Sequence, residues 1–221
     1  MSQANVPRAM VLMVAIGSVL ATAAITLAVL TDRSARNEAA VTAPTEAPAE
    51  LPVIFELPRF SLTDQNGKPF GSDQLDGKVW IADFMFTRCK GVCPMLSANM
   101  AAVQSELSDD PHWKSDIRLV SLSVDAEHDT PAVLREYAKR YDAQPGQWVF
   151  LTGEREQVWP LIEDGFKLAV GATPENEVMP FAHSSKLVLV DGHGRVRAYH
   201  DGMTPQGRKA LIADVQRLLG E

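Results

Sequence analysis

The sequence predicts a mixed α/β domain standing behind a single apolar segment. Three observations carry that expectation: strand-length apolar runs, segments between them with one apolar face at helical spacing, and an uncharged stretch from Ala9 to Leu30. At 221 residues and 46% hydrophobic, the chain can bury a full core beyond that stretch. Its formal net charge of −7 lacks the basic footprint that phosphate binding requires, which argues against nucleic acid as a partner.

Residues 1–8 form a short tail. The Ala9–Leu30 run, at ~1.5 Å per residue, is long enough to cross a ~30 Å hydrocarbon core, so it reads as a transmembrane anchor. The competing reading is a cleaved signal peptide, with Ala21-Thr22-Ala23 as a small-residue cleavage site, but the run exceeds the usual length of such a core. Arg8 precedes it while Asp32, Arg33 and Arg36 follow, so flanking charge sets no orientation. A lone N-terminal anchor places the C-terminal body outside the cytoplasm, here a single pass through a bacterial inner membrane with the body in the periplasm. No cysteine directly follows the run, leaving lipidation without an attachment point. Residues 31–50, rich in Ala, Pro, Thr and Glu without apolar periodicity, form a flexible linker to a domain at 51–221.

Within that domain, residues 60–70 flank Asn66-Gly67 and predict a hairpin. Residues 78–86 are almost continuously apolar and predict a central strand buried on both faces. Leu96, Met100, Val103 and Leu107 then mark a helix over 94–107. A second buried strand follows at 117–125, and a helix at 129–141 opens with Thr130 as N-cap and Pro131 in its first turn. A short strand at 148–151, a helix over 154–165, and strands at 185–191 and 195–200 around Gly192-His193-Gly194 lead to a closing helix at 204–219 with another Thr-Pro start. Hairpin, three alternating strand–helix units, a second hairpin and a helix suit a thioredoxin-like fold with an N-terminal β-hairpin extension. In that layout redox cysteines sit between the first central strand and its helix.

Cys89 and Cys93, the two cysteines of the chain, fall at that junction in "FTRCKGVCPM". Two buried small hydrophobes would be the plain explanation, but Arg88, Lys90 and Gly91 suit an exposed loop better. Pro94 disfavours α conformation in the residue before it, making Cys93 the expected N-cap. A helix N-terminus with two cations nearby is expected to lower the thiol pKa values. Three intervening residues permit either a disulfide or a shared metal, and two thiolates with one imidazole would suit copper.

Five histidines could supply the imidazole. His193 in its turn and His200 at a strand end read as solvated, while His112 and His128 lie in connections. His183 precedes the strand that opens the final hairpin, a loop that packs beside the cysteines in this layout. The layout alone leaves it balanced between a hydrogen-bonded loop residue and a third ligand.

The runs "FTRCKGVCPM", "SLSVDAEHDTP" and "HSSKLVLVDGHG", in this order and spacing, resemble the SCO/SenC family of copper-binding cytochrome c oxidase assembly proteins over about residues 55 to 220. The resemblance implies a thioredoxin-like fold behind a membrane anchor, one copper held by Cys89, Cys93 and His183, and help in building the dinuclear copper centre of the oxidase. Asp125, in the matched "SVD", is a nearby carboxylate for partner contact or tuning, if it does not simply cap the turn before Thr130. Many members carry a histidine before the first cysteine and Pro-Asp between the two; Arg88 and Lys90-Gly91 stand here, and Ala182 replaces the usual acidic residue before the histidine.

Three roles follow. The first is a membrane-anchored copper chaperone, loaded as Cu(I) or Cu(II), whose partners are a copper-receiving oxidase subunit, other copper chaperones and thiol reductants. The second is a thiol-disulfide oxidoreductase that uses Cys89 and Cys93 as a redox pair to reduce cysteines of a copper-receiving protein; the third is a copper or redox sensor. Zinc is the runner-up metal, and Met95 and Met179 offer thioethers.

Overall fold

The computed structural model describes residues 50–173 and 181–220. The expected tail, the 9–30 anchor, all but the last residue of the linker, and Met179 lie outside the described residues. Among the described residues, no helix is long and apolar enough to cross a membrane.

Among the described residues ten strands form: β1 (Phe55–Glu56), β2 (Ser61–Asp64), β3 (Pro69–Gly71), β4 (Val79–Met85), β5 (Ile117–Ser123), β6 (Trp148–Thr152), β7 (Gly171–Ala172), β8 (Phe181–Ala182), β9 (Lys186–Val190) and β10 (Arg195–Asp201). The helices are α1 (Ser72–Leu75), α2 (Cys93–Leu107), α3 (Trp113–Asp116), α4 (Pro131–Arg140), α5 (Arg155–Pro160) and α6 (Pro205–Leu219). Eight strands make one mixed sheet in the order β1-β10-β9-β4-β5-β6-β2-β3, while β7 and β8 pair separately. The β4, β5 and β6 pairings are parallel and the β9–β10 hairpin runs antiparallel beside β4. This is the expected architecture, with all seven residues of β4 buried at its centre.

Local chemistry explains most boundaries. Asp64 accepts from the backbone amides of Asn66 and Lys68 at 2.8 Å each, and Gly67 takes φ +76°, so the first hairpin turns where expected. Thr130 and Thr204 each cap a helix through the side chain, accepting from Val133 and Gly207, with Pro131 and Pro205 next. The helix expected over 154–165 divides: α5 ends at Pro160, and residues Leu161–Gly165 continue as a wider π turn. Proline has no amide hydrogen to donate into a regular turn, which favours that break. Strands β1, β7 and β8 have no counterpart among the expected elements, being too short for any periodicity to register.

The two faces of the sheet are covered differently. Helices α2 and α4 share one face: the hydroxyls of Ser97 and Tyr137 lie 2.9 Å apart, and Tyr137 meets Phe150 edge-on. Arg208 of α6 joins them through Asn99 and Glu106. On the opposite face Phe166, just after the π turn, packs edge-to-face on Trp80 and Phe84. Because side chains alternate along a strand, Asp83 points to the α2 face and Phe84 away from it. Buried Arg197 binds the carbonyls of Leu51 and Pro52 and the Asp191 carboxylate, fixing residues 51 and 52 to β10.

Candidate metal centre

β4 ends at Met85, and the chain passes through Phe86, Thr87 and Arg88 to Cys89 at the carboxyl end of the central strands. The Cys89 amide donates to the Phe86 carbonyl at 3.3 Å, turning the loop back toward the sheet. α2 begins at Cys93 itself, with Val92 in the αR region as its cap. The expected N-cap role of Cys93 is therefore corrected. Pro94 biases the preceding residue away from α geometry but does not forbid it, and Cys93 enters the first turn because Val92 already turns the chain. Both cysteines are free and buried, at 6% and 0% exposure.

His183 follows β8 directly. Its Nδ1 lies 3.1 Å from the Ser184 carbonyl and its Nε2 lies 3.1 Å from the Cys93 Sγ. A carbonyl can only accept, so the hydrogen sits on Nδ1 and the Nε2 lone pair faces the thiol, which donates to it. Phe86 meets the imidazole edge-on at 5.7 Å and Phe181 at 5.4 Å, walling the site with apolar rings. One ligand atom from each of Cys89, Cys93 and His183 lies within 4.8 Å of the others. A metal bonded at about 2.0–2.3 Å needs donors a little closer than that upper bound, so only a small contraction separates this arrangement from a three-coordinate site.

The electrostatics differ from the expectation. Burial, and then the adjacent Cys89 thiol, push the Cys93 pKa far upward, not downward. The Arg88 guanidinium is engaged elsewhere, its Nε donating to Asp125 Oδ2 at 2.5 Å, and Lys90 is exposed. Burial also lowers the His183 pKa, keeping the ring neutral. The centre thus holds a protonated Cys93 beside an imidazole with an open lone pair, and a metal bound there would have to displace the thiol proton.

Two buried carboxylates hold the cysteine loop. Asp129, fully buried, accepts from the Thr87 amide at 3.0 Å, the Thr87 hydroxyl at 2.5 Å and the Ser123 hydroxyl at 2.5 Å. Asp125, 2% exposed, takes Arg88. The two residues preceding Cys89 are thereby each fixed to the loop after β5. The capping expected of Asp125 is also present in part: its carbonyl accepts from the His128 and Asp129 amides. A third carboxylate, Asp83, lies inside the sheet on the α2 face with no exposure; Ser121 donates to its Oδ1 at 2.5 Å and its Oδ2 meets no partner among the described residues. Burial raises its pKa to about 7. Sequence reading missed Asp83 and Asp129; the signal for Asp83 was an acid inside an otherwise apolar strand.

The other sequence candidates lie apart. His112 pairs with Asp116, and His193 borders a cavity with Asp191 and Arg195. His200, expected in solvent, is instead buried at 9% exposure beside Asp214. Met95 points to solvent at 54% exposure.

A family model described as SCO1/SenC matches residues 54–220. The SCO1 protein homolog of Bacillus subtilis is 33% identical over 166 residues, covering 75% of this chain and 83% of that protein. A solved SCO1/SenC family lipoprotein from Bacillus anthracis is 35% identical with a TM-score of 0.69, covering 76% of this chain and 97% of that one. The structure of BsSco, reported with a disulfide switch and as a member of the Sco family of cytochrome c oxidase assembly proteins, is 31% identical with a TM-score of 0.67 over the same shares.

Proposed function

Since the chain belongs to the SCO1/SenC family, we propose that it carries one copper ion on Cys89, Cys93 and His183 and helps assemble the copper centre of cytochrome c oxidase. The observation that supports this most is the convergence of three soft or borderline donors within 4.8 Å beside the rings of Phe86 and Phe181. Two thiolates and one imidazole nitrogen match Cu(I), and copper is favoured over zinc by that softness. The assembly role rests on the family. The recipient is an oxidase subunit that binds copper. The uncharged run at 9–30 and the Pro-rich stretch after it support a tethered carrier at the periplasmic face of the inner membrane. Upstream copper chaperones and thiol reductants would load the site and keep it reduced.

Metal analysis of residues 50–221 under reducing conditions tests the reading. It expects one copper per chain, lost in Cys89→Ser and Cys93→Ser and weakened at least tenfold in His183→Ala, by analogy with the loss of a metal-orienting group. Full copper retention in all three variants would refute it.

A thiol-disulfide role on the same pair is the second reading. It is favoured by two free thiols, one in the loop before α2 and one at its first residue, and by the disulfide switch reported for BsSco. A reversible Cys89–Cys93 couple whose activity survives His183→Ala would select it. A sensor would instead need a signalling partner that distinguishes the loaded from the empty site.

A further inference from the structure

We propose that Arg88 sets the oxidation-state preference of the copper site, favouring Cu(I) by engaging the Asp125 carboxylate. The inference rests on the copper reading above.

Asp125 lies at the same edge of the sheet as the cysteine loop. β4 and β5 run parallel with Met85 opposite Ser123, and the Val124 amide continues the pairing onto the Met85 carbonyl at 2.9 Å. Two residues beyond that register, Asp125 therefore stands level with the approach to Cys89. Its side chain is 2% exposed, so bulk water does little to screen it. Arg88, the residue immediately before Cys89, donates from Nε to Asp125 Oδ2 at 2.5 Å. The same guanidinium lies 5.8 Å from the centre of the Phe181 ring, which packs on Phe86, which in turn meets His183. One half-exposed side chain thus touches both the buried carboxylate and the arm that carries the imidazole. Among the described residues, no carboxylate joins the three-donor group.

The charge count gives the direction. Two thiolates and a neutral imidazole around Cu(I) carry a net charge of −1; around Cu(II) they carry zero. A free carboxylate beside the site would repel the first state and could supply a hard oxygen donor to the second. Paired with Arg88, the same carboxylate adds no net charge and its Oδ2 is taken. Arg88 is therefore a positioning and charge-balancing residue, acting on the metal through Asp125.

The test measures Cu(I) and Cu(II) affinities of the full-length chain separately, by competition with a chromophoric Cu(I) chelator and with a Cu(II)-binding amino acid, and records the Cu(II) paramagnetic resonance spectrum. Arg88→Gln is expected to shift the ratio of affinities toward Cu(II) by about tenfold or more, the size of a single charge interaction in a partly buried setting. Arg88→Gln with Asp125→Asn should restore a ratio near that of the parent. Asp125→Asn alone, which keeps the arginine, should move the ratio toward Cu(I), and this arm stands if Arg88→Gln fails to fold. A ratio within twofold of the parent in Arg88→Gln, a shift that persists in the double variant, or a move toward Cu(II) in Asp125→Asn would each overturn the inference while leaving copper binding itself in place. A parent chain that binds no copper in either state would remove the copper reading and the inference together.

Discussion

Replacing Asp83 with asparagine should make the metal-free protein more stable at pH 8 than its parent, relative to the same comparison at pH 4. Asp83 has no exposure, and its pKa rises from 3.8 to about 7 because burial penalises the charge more than the Ser121 hydroxyl relieves it. A group whose folded pKa lies above its unfolded value favours the folded state only while it is protonated. That contribution is complete below pH 3.8 and is lost as the pH climbs to about 7. At 1.36 kcal/mol per unit, a shift of about three units is worth about 4 kcal/mol. Asparagine keeps an oxygen for Ser121, whose own oxygen accepts from the Trp148 indole at 2.9 Å, and it does not titrate. Urea denaturation of parent and variant at both pH values, with reductant and chelator present, gives the double difference. Packing changes appear equally at pH 4 and pH 8 and cancel. A double difference below about 1 kcal/mol, or one of opposite sign, would refute the assignment of Asp83 as a carboxylate that the fold keeps partly neutral.

The thiol makes a related prediction at higher pH. The Cys93 pKa is raised above the ordinary 9.0, so its contribution to stability is present below pH 9 and is lost as the pH rises further, by up to about 1.4 kcal/mol per pH unit. Cys93→Ser should flatten that decline in denaturation curves from pH 8 to 10.5, and identical slopes would contradict it. Asp129→Ala should loosen the cysteine loop by releasing the amide and hydroxyl of Thr87, lowering copper affinity roughly 10–100-fold with the circular dichroism spectrum retained. Undiminished affinity in a folded Asp129→Ala variant would show that Thr87 needs no clamp.

Legibility in the sequence followed the range of each signal. The buried run of β4 and the Thr-Pro starts at 130–131 and 204–205 are local, and they appear in the fold where the residues predict them. The Cys89–Cys93 junction was local too, but its protonation was not. The cations beside the pair in sequence were expected to stabilise thiolates, whereas the Arg88 side chain turns to Asp125, and burial of Cys93 depends on contacts far along the chain. His183 reached the site through a topological argument, since it stands ninety positions from Cys93 and no periodicity links them. Asp129 was invisible because a loop acid before a Thr-Pro helix start looks like ordinary turn chemistry, and its bond to Thr87 crosses 42 positions. The start of α2 was misplaced by one residue because the proline rule is a bias, and Val92 had already set the helical path.

The contact between His183 Nδ1 and the neighbouring Ser184 carbonyl also bears on how fast a ligand can be exchanged. An imidazole whose tautomer depended on a distant acid would have to trade a proton with it whenever the ring swung away. Here the hydrogen's acceptor is the very next residue, so ring and acceptor belong to one short stretch of backbone. If His183 served as a ligand, its ring would leave and return with the hydrogen still on Nδ1, and no proton would have to pass between the ring and a distant group.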